Sequence, residues 1–376
     1  MSVSPSPDEP SPPDYERGSL ADVLPAVAVG LGITGFSPRI RVEPADRAVV
    51  LLVDGLGARA LAQYVQTAPT LGRLRSQPLI SGFPSTTAVG IGSLGSGRQP
   101  GTHGLVGTMF VVPEWGGMLA PLRWGASPNP IATNPNRTVF EAVAAQGVAV
   151  HAVGATKFAN SGLTAAVLRG AEYVAADSVD ELVLRTGEVV RKAERSLTYV
   201  YWADLDKIGH VHGVGSAKWL EGLDIVDQLV ANLLAQLPAG ARLHVTADHG
   251  MVECAESDVI DIDTQAGLLD DVERIGGEPR ARHLYVREGA QDHVIGVWRT
   301  ALGDRAWVLS RDQAVDLGWF GLVDPDLTDR IGDVVVAARG RTSLASPQTD
   351  ARLSSLLGQH GSLSPDEMDI PLLTGG

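Results

Sequence analysis

Cysteine is almost missing from the 376-residue chain: Cys254 stands alone, which excludes an internal disulfide and a cysteine-rich metal cluster and suits a reducing compartment. Clustered Lys and Arg are missing as well. With a formal net charge of -14 and no basic stretch, the chain lacks the electrostatic footprint of a partner for nucleic-acid polymer or an anionic membrane. A small phosphate ester stays compatible with that charge, because metal ions can reverse the field inside a cleft. No run approaches the roughly 18 to 20 apolar residues that a membrane helix needs. Residues 1–15 are rich in Pro, Ser and acids, with neither the basic nor the apolar region of a secretory signal. These absences predict a cytoplasmic, soluble protein with no membrane partner, whose residues 1–20 form a disordered Pro-rich tail with little to bury.

What is present is globular. At 44% hydrophobic and 20% charged, the chain can bury a sizeable core. Arg47-Ala-Val-Val-Leu-Leu-Val-Asp54 is a continuous apolar run closed by Gly55-Leu-Gly57, the pattern of a strand covered on both faces. Residues 58–75 follow with helical spacing, interrupted at Pro69. The grammar repeats as helix 138–147 and strand 148–153, helix 177–196 and strand 198–203, helix 217–237 and strand 242–248. Alternation of this kind predicts an α/β fold, a doubly wound and mostly parallel sheet with helices on both faces. Ligands of such sheets bind beyond the carboxyl ends of the strands, where Asp54 falls.

Two segments leave the pattern. Residues 108–136, rich in Pro, Gly, Trp and Asn, read as an ordered excursion over one face. Short strand-like runs around a helix at 291–302 read as a smaller α+β insertion, at about 255–340, within a single domain of residues 21–376. The tail from Ser362 looks loosely structured.

The chemistry sits in short motifs. Asp206-Lys-Ile-Gly-His210 puts a carboxylate and an imidazole four residues apart, so that one helical turn or a tight loop aims both at one point. Thr246-Ala-Asp-His-Gly-Met251 adds an adjacent acid and imidazole at the end of a buried strand, where an uncompensated carboxylate would be costly. Gly358-Gln-His-Gly361 contributes a late loop histidine. With Asp54 these make three acids and three imidazoles, a mixed N and O donor set that suits two zinc-like ions. Gly82-Phe-Pro-Ser-Thr-Thr87 precedes a run of small residues to Gly97 and reads as a helix start, whose free N–H groups suit either a capping hydroxyl or a bound phosphate.

This ordered set resembles the alkaline phosphatase superfamily, most closely its type I phosphodiesterase/nucleotide pyrophosphatase branch. The likeness rests on Asp54, Pro84-Ser-Thr-Thr87 with Gly97 and His103-Gly104, Asp206 and His210, Thr246 with Asp248-His249-Gly250, and His360, over roughly residues 47–361. It implies that Thr87 is the nucleophile, that Asp54, Asp248 and His249 hold the ion that also binds Thr87, and that Asp206, His210 and His360 hold a second. The implied ions are zinc, with manganese as the alternative. The implied reaction is hydrolysis of a phosphodiester or pyrophosphate bond of a small phosphate ester, nucleotides included, through a phosphothreonine. A phosphomonoesterase, a phosphonate hydrolase and a non-catalytic binding relative stay open beside it. Where the branch carries a phosphate-binding Asn after the His-Gly turn, this chain aligns Thr108. Thr86 competes with Thr87 as nucleophile and Asp204 with Asp206 as ligand, the family spacing favouring Asp206. His151, His212, His244, His283 and His293 read as structural or solvent-exposed, and Phe110, Trp115 and Trp124 as loop anchors or a stacking platform.

Overall fold

The computed structural model describes residues 12–376. Its strands, in chain order, are β1 (Arg47–Val53), β2 (Arg75–Ile80), β3 (Ala149–Gly154), β4 (Glu172–Ala175), β5 (Ser196–Trp202), β6 (Ala241–Thr246), β7 (Val272–Glu278), β8 (Ala281–Val286), β9 (Ala306–Ser310), β10 (Val334–Ala338) and β11 (Asp369–Gly375). The helices that matter here are α1 (Thr87–Ser96), α2 (Val179–Lys192), α3 (Asp204–His212), α4 (Ala217–Gln236) and α5 (Gln291–Leu302).

A seven-stranded sheet runs in the order β2-β11-β6-β1-β5-β3-β4. β1 pairs in parallel with β5 and β6, β5 with β3, and β3 with β4, whereas β11 lies antiparallel to both β2 and β6. The expected mostly parallel sheet flanked by helices is therefore present. β1 explains its own place: every residue from Ala48 to Val53 is buried, so neither face meets water. Burying its five Val and Leu side chains contributes on the order of 10 kcal/mol before entropy is subtracted. Helices α2 and α4 start at Ser178 and Ser216, whose hydroxyls accept from Glu181 N at 3.2 Å and Trp219 N at 3.2 Å.

Between Val272 and Ala338 the chain builds a separate four-stranded antiparallel sheet, β7-β8-β10-β9, with its own apolar cluster around Leu284, Trp298 and Val336 under α5. The turn between β7 and β8, Pro279-Arg280, carries this sheet to the large one. Arg280 forms a fully buried double ion pair with Glu367, Nη2 to Oε2 at 2.7 Å and Nε to Oε1 at 3.0 Å.

Several expectations need correction. The helix expected over 58–75 breaks into short turns, and Arg75 already begins β2. The cause is tertiary: the buried carboxylate of Asp227 on α4 takes the Thr70 and Leu71 N–H groups at 3.1 and 2.8 Å and restarts the helix at Pro69. Of the two arrangements expected for Asp206 and His210, the helical turn is the one present, on α3. The tail after Ser362 contains β11, a central strand of the large sheet. Of the expected N-terminal tail, residues 1–11 lie outside the described residues, but Tyr15 is buried, donating to Trp319 O at 2.8 Å and accepting from Phe83 N at 3.1 Å. Among the described residues, no helix is long and apolar enough to cross a membrane.

Candidate active site

The carboxyl ends of β1, β5 and β6 converge with the N-terminus of α1. Asp54 follows β1, and its N–H still bonds Trp202 O at 2.9 Å, so the carboxylate leaves the sheet from a fixed backbone. Gly55 turns the chain there with φ +75°; a Cβ would come within 3.0 Å of Asp206 Cβ, so the turn rests on α3. Tyr201, on β5, donates to Asp54 Oδ2 at 2.5 Å. Asp248 follows β6 and accepts through Oδ1 from Gly55 N at 3.2 Å and His249 N at 3.1 Å. In α3, the four-residue spacing places His210 Nε2 3.2 Å from Asp206 Oδ2. His360 enters from a loop behind a short strand, and its ring stacks on that of His249 with centroids 3.6 Å apart.

The three imidazoles share one arrangement. Nδ1 of His210, His249 and His360 lies 2.7, 2.9 and 2.9 Å from the carbonyl oxygens of Gly358, Gly250 and Ser85. A carbonyl only accepts, so each Nδ1 carries a proton and each Nε2 is turned toward the acids. His360 Nε2 lies 3.7 Å from Asp206 Oδ1; His249 Nε2 lies 3.5 Å from Asp54 Oδ1 and 3.6 Å from Asp248 Oδ2. Two triads result, Asp206-His210-His360 and Asp54-Asp206-His249, each with donor atoms within 4.8 Å of one another. Asp206 therefore stands between the two groups rather than in one of them.

Thr87 opens α1 and Thr86 is its N-cap, in extended conformation. The Thr87 hydroxyl lies 3.3 Å from His249 Nε2, whereas the Thr86 hydroxyl is buried without a partner beside Glu278. Of the two hydroxyls, only that of Thr87 reaches the acid-imidazole cluster. Small residues permit this approach: a Cβ on Gly90 would stand 2.5 Å from Asp248 Cβ, and one on Gly92 2.8 Å from the His103 ring. His103 is a buttress, with Nε2 3.0 Å from Ser93 Oγ and Nδ1 accepting from Leu105 N at 3.1 Å.

Electrostatics single out the same cluster. Burial, then the Asp248 and Asp206 charges, push Asp54 well above the carboxylate range, and burial raises Asp248 too. Burial also works against ionised Asp206, but His210, His360 and His249 outweigh it and hold the group below its ordinary value. Burial and His249 push His360 well below the imidazole range. Asp54 Oδ1, Asp206 Oδ1 and Asp248 Oδ2 are buried with no hydrogen-bond partner. Three clustered carboxylates with orphaned oxygens and three Nε2 atoms turned toward them form a donor set that fits divalent cations of the zinc type.

A cavity of about 460 Å³ opens onto the cluster. Its lining includes Thr86, Thr87, Thr108 and Glu278 as well as the apolar or aromatic Ile91, Leu122, Phe158, Leu163 and Tyr173. Thr108 thus reaches the cavity, but its hydroxyl donates to Gly277 O at 2.7 Å. Asp204 is turned outward and paired with Lys207. His212 and His293 are exposed, and His244 and His283 buried at a distance from the cluster's bonds. Trp124 anchors the excursion by donating to Pro128 O at 2.8 Å, Phe110 is buried and Trp115 is exposed. Cys254 is buried, and burial pushes its thiol up to about 11. Sequence reasoning missed Tyr201, Phe158 and Glu278. The one available signal was Gly276-Gly277 before Glu278, a glycine pair that marks close backbone approach in a strand.

Comparison with known proteins gives a consistent result. The family described as type I phosphodiesterase / nucleotide pyrophosphatase matches residues 48–363. Among solved structures, murine ectonucleotide pyrophosphatase/phosphodiesterase 5, in an inactive form with AMP, is 18% identical with a TM-score of 0.69, over 87% of each chain. Phosphonoacetate hydrolase from Sinorhizobium meliloti with phosphonoformate is 21% identical with a TM-score of 0.69, over 91% of this chain and 92% of that one. No curated protein matches the sequence itself.

Proposed function

We propose, from the premise that the chain belongs to the type I phosphodiesterase / nucleotide pyrophosphatase family, that it hydrolyses a phosphodiester or pyrophosphate bond of a small molecule through a phosphothreonine at Thr87. The observation that carries the reading is the Thr87 hydroxyl, first residue of a helix and 3.3 Å from His249 Nε2, facing an acid-imidazole cluster with unpartnered oxygens.

Asp54, Asp248 and His249, with Thr87, would hold one divalent ion and Asp206, His210 and His360 another, zinc by donor type and manganese as the alternative. Such ions supply Lewis acidity, lowering the pKa of a hydroxyl or water and offsetting charge on the phosphoryl group. The chain's residues do the rest. Thr87 Oγ1 attacks phosphorus and loses its proton, the bond to the leaving oxygen breaks, and that oxygen leaves with the electron pair and takes up a proton. Water then attacks phosphorus opposite the Thr87 oxygen and gives up a proton, the bond from Thr87 Oγ1 to phosphorus breaks, Thr87 regains a proton, and the phosphate monoester that keeps the other substituent departs. The free N–H groups at the start of α1 hold a phosphoryl oxygen throughout. Asp206 sits between the triads and so aligns both halves of the site, and Tyr201 fixes the Asp54 carboxylate by its hydrogen bond. The apolar and aromatic side chains that line the cavity offer a surface for the leaving group. A lone buried thiol suits work in the cytoplasm, which fractionation of the native host checks.

A phosphonate hydrolase is the second reading, favoured by the likeness to phosphonoacetate hydrolase. Thr87→Ala is expected to abolish turnover of bis-nitrophenyl phosphate while metal content holds near that of the unchanged protein; retained turnover refutes the assignment, and Thr86→Ala as a companion settles which hydroxyl attacks. A dominant rate on mono-nitrophenyl phosphate, or on phosphonoacetate, replaces the diester reading.

A further inference from the structure

Glu278 is a buried acid for which neither the metal cluster nor the fold has a use. It is the last residue of β7, 3% exposed, and both carboxyl oxygens lack a hydrogen-bond partner. Its position is built, not incidental. Gly277 adopts φ +75° and its N–H donates to Met109 O at 2.6 Å, while Thr108 Oγ1 donates to Gly277 O at 2.7 Å, so the end of β7 is clamped to the excursion. On the other side a Cβ at Gly361, beside His360, would lie 2.8 Å from Glu278 Cγ, so the side chain is pressed between that loop and the cap of α1. Glu278 lines the catalytic cavity together with Thr86 and Thr108, and its carboxyl group lies beside their hydroxyls.

No cation holds it there. The charged groups facing it are Arg282 from β8 and Glu367 from the segment before β11. Arg282 is spent on Leu344 O, through Nε at 3.0 Å, and on Asp350; Glu367 is spent on Arg280. Burial pushes Glu278 up to about 8, with Thr86, Thr108 and Arg282 pulling the other way. A neutral carboxyl group has one O–H to give, and an unmade bond in a dry pocket costs free energy that a ligand can recover. Thr108 has already committed its own proton to Gly277 O.

We propose that Glu278 is a substrate-contacting residue, whose protonated carboxyl group donates a hydrogen bond to a non-bridging oxygen of the phosphoryl group. The proposal rests on the phosphohydrolase reading above and names a contact that the metal cluster and the α1 N-terminus do not supply. The acid cannot exchange its role with a charged residue, since an ionised carboxylate at this wall would repel the substrate. Binding is therefore tied to the proton on Glu278 and weakens as pH rises through about 8.

The test is binding of inorganic phosphate to the metal-loaded protein by calorimetry between pH 7 and pH 10, for wild type, Glu278→Ala and Glu278→Gln, with unfolding curves and metal content as controls. Glu278→Ala is expected to weaken binding about ten- to a hundredfold, the range for a hydrogen bond to a charged group. Glu278→Gln keeps a neutral donor that cannot ionise. Its affinity relative to wild type should rise above pH about 8, a ratio in which the titration of phosphate itself cancels. A Glu278→Ala protein that binds as wild type does, or a Gln-to-wild-type ratio flat in pH, overturns the proposal. Wild-type protein that binds no phosphate overturns it as well. If wild type binds phosphate yet hydrolyses no phosphate ester, the functional reading fails while the Glu278 result stands.

Discussion

Substituting Gly90 by alanine places one methyl group where α1 meets the loop that carries Asp248. The new Cβ would lie 2.5 Å from Asp248 Cβ, 3.1 Å from its Cα and 3.2 Å from its carbonyl oxygen, against about 3.4 Å for ordinary contact. The gap must open by about 0.9 Å, the difference of 3.4 and 2.5 Å. Asp248 cannot retreat cheaply, because Gly55 N and His249 N hold its carboxylate and Ser81 donates to its carbonyl. The helix therefore moves, taking Thr87 away from His249. Overpacking costs about 1–3 kcal/mol and the gain in helix propensity returns about 1, so the protein should lose only about 0–2 kcal/mol of stability. Catalysis should suffer far more, because a misplacement near 1 Å can cost on the order of 10²-fold. Gly95→Ala is the control: its Cβ would meet Val167 O, an even closer approach on the same helix, but away from the cluster. The assay is kcat/KM on bis-nitrophenyl phosphate beside thermal unfolding and metal analysis. If Gly90→Ala keeps kcat/KM within about threefold, or Gly95→Ala loses as much, close approach at Gly90 does not position Thr87.

Glu367→Gln should cost about 3–5 kcal/mol in denaturant unfolding, because it strands the fully buried Arg280. The double replacement Arg280→Met with Glu367→Leu should recover most of that loss, and a single variant within about 1 kcal/mol of wild type would show that the pair is not the anchor. Removal of divalent ions by a chelator should abolish activity and lower the unfolding temperature through mutual repulsion of Asp54, Asp206 and Asp248, with both restored by zinc. Glu278 gives a pH signature in stability: its folded value, about 8, lies above that of an ordinary Glu, so the folded state holds a proton that the unfolded chain releases. Wild-type stability should thus fall relative to Glu278→Gln as pH rises from the ordinary Glu range through about 8 and then level off; a pH-independent difference would place the proton elsewhere.

The sequence announces those parts of the site whose physics is local. Asp54 stands at the end of a continuous apolar run and Asp248 just past a buried strand, and His210 follows Asp206 by one helical turn, so backbone periodicity alone brings each near a strand end or onto one helix face. Which hydroxyl points inward was not local: Thr86 and Thr87 differ only in which side of the helix cap each occupies. The division of ligands was also hidden, since Asp206 lies between the triads only because Gly55 lets β1 settle on α3. Glu278 gave no signal beyond the glycine pair before it, because its surroundings come from segments distant in sequence. β11 was hidden by Pro371, a poor residue for a central strand; here it pairs with Pro78 of β2, one residue before the pairing with β6 begins at Leu372. Tyr15 was masked by its polar neighbours, although its hydroxyl bridges Phe83 and Trp319.

The place of β11 also sets the order in which the molecule can be made. β2 and β6 both leave the ribosome before β11, yet they meet only through it. His360 and Glu367 emerge just before it, so the sixth donor, the partner of Arg280 and the strand that closes the gap all arrive together. Pairings of such long sequence separation are slow to form. A nascent chain thus carries Thr87 without a complete acid-imidazole cluster around it until His360 has emerged, so the cluster is completed in one step rather than growing with length.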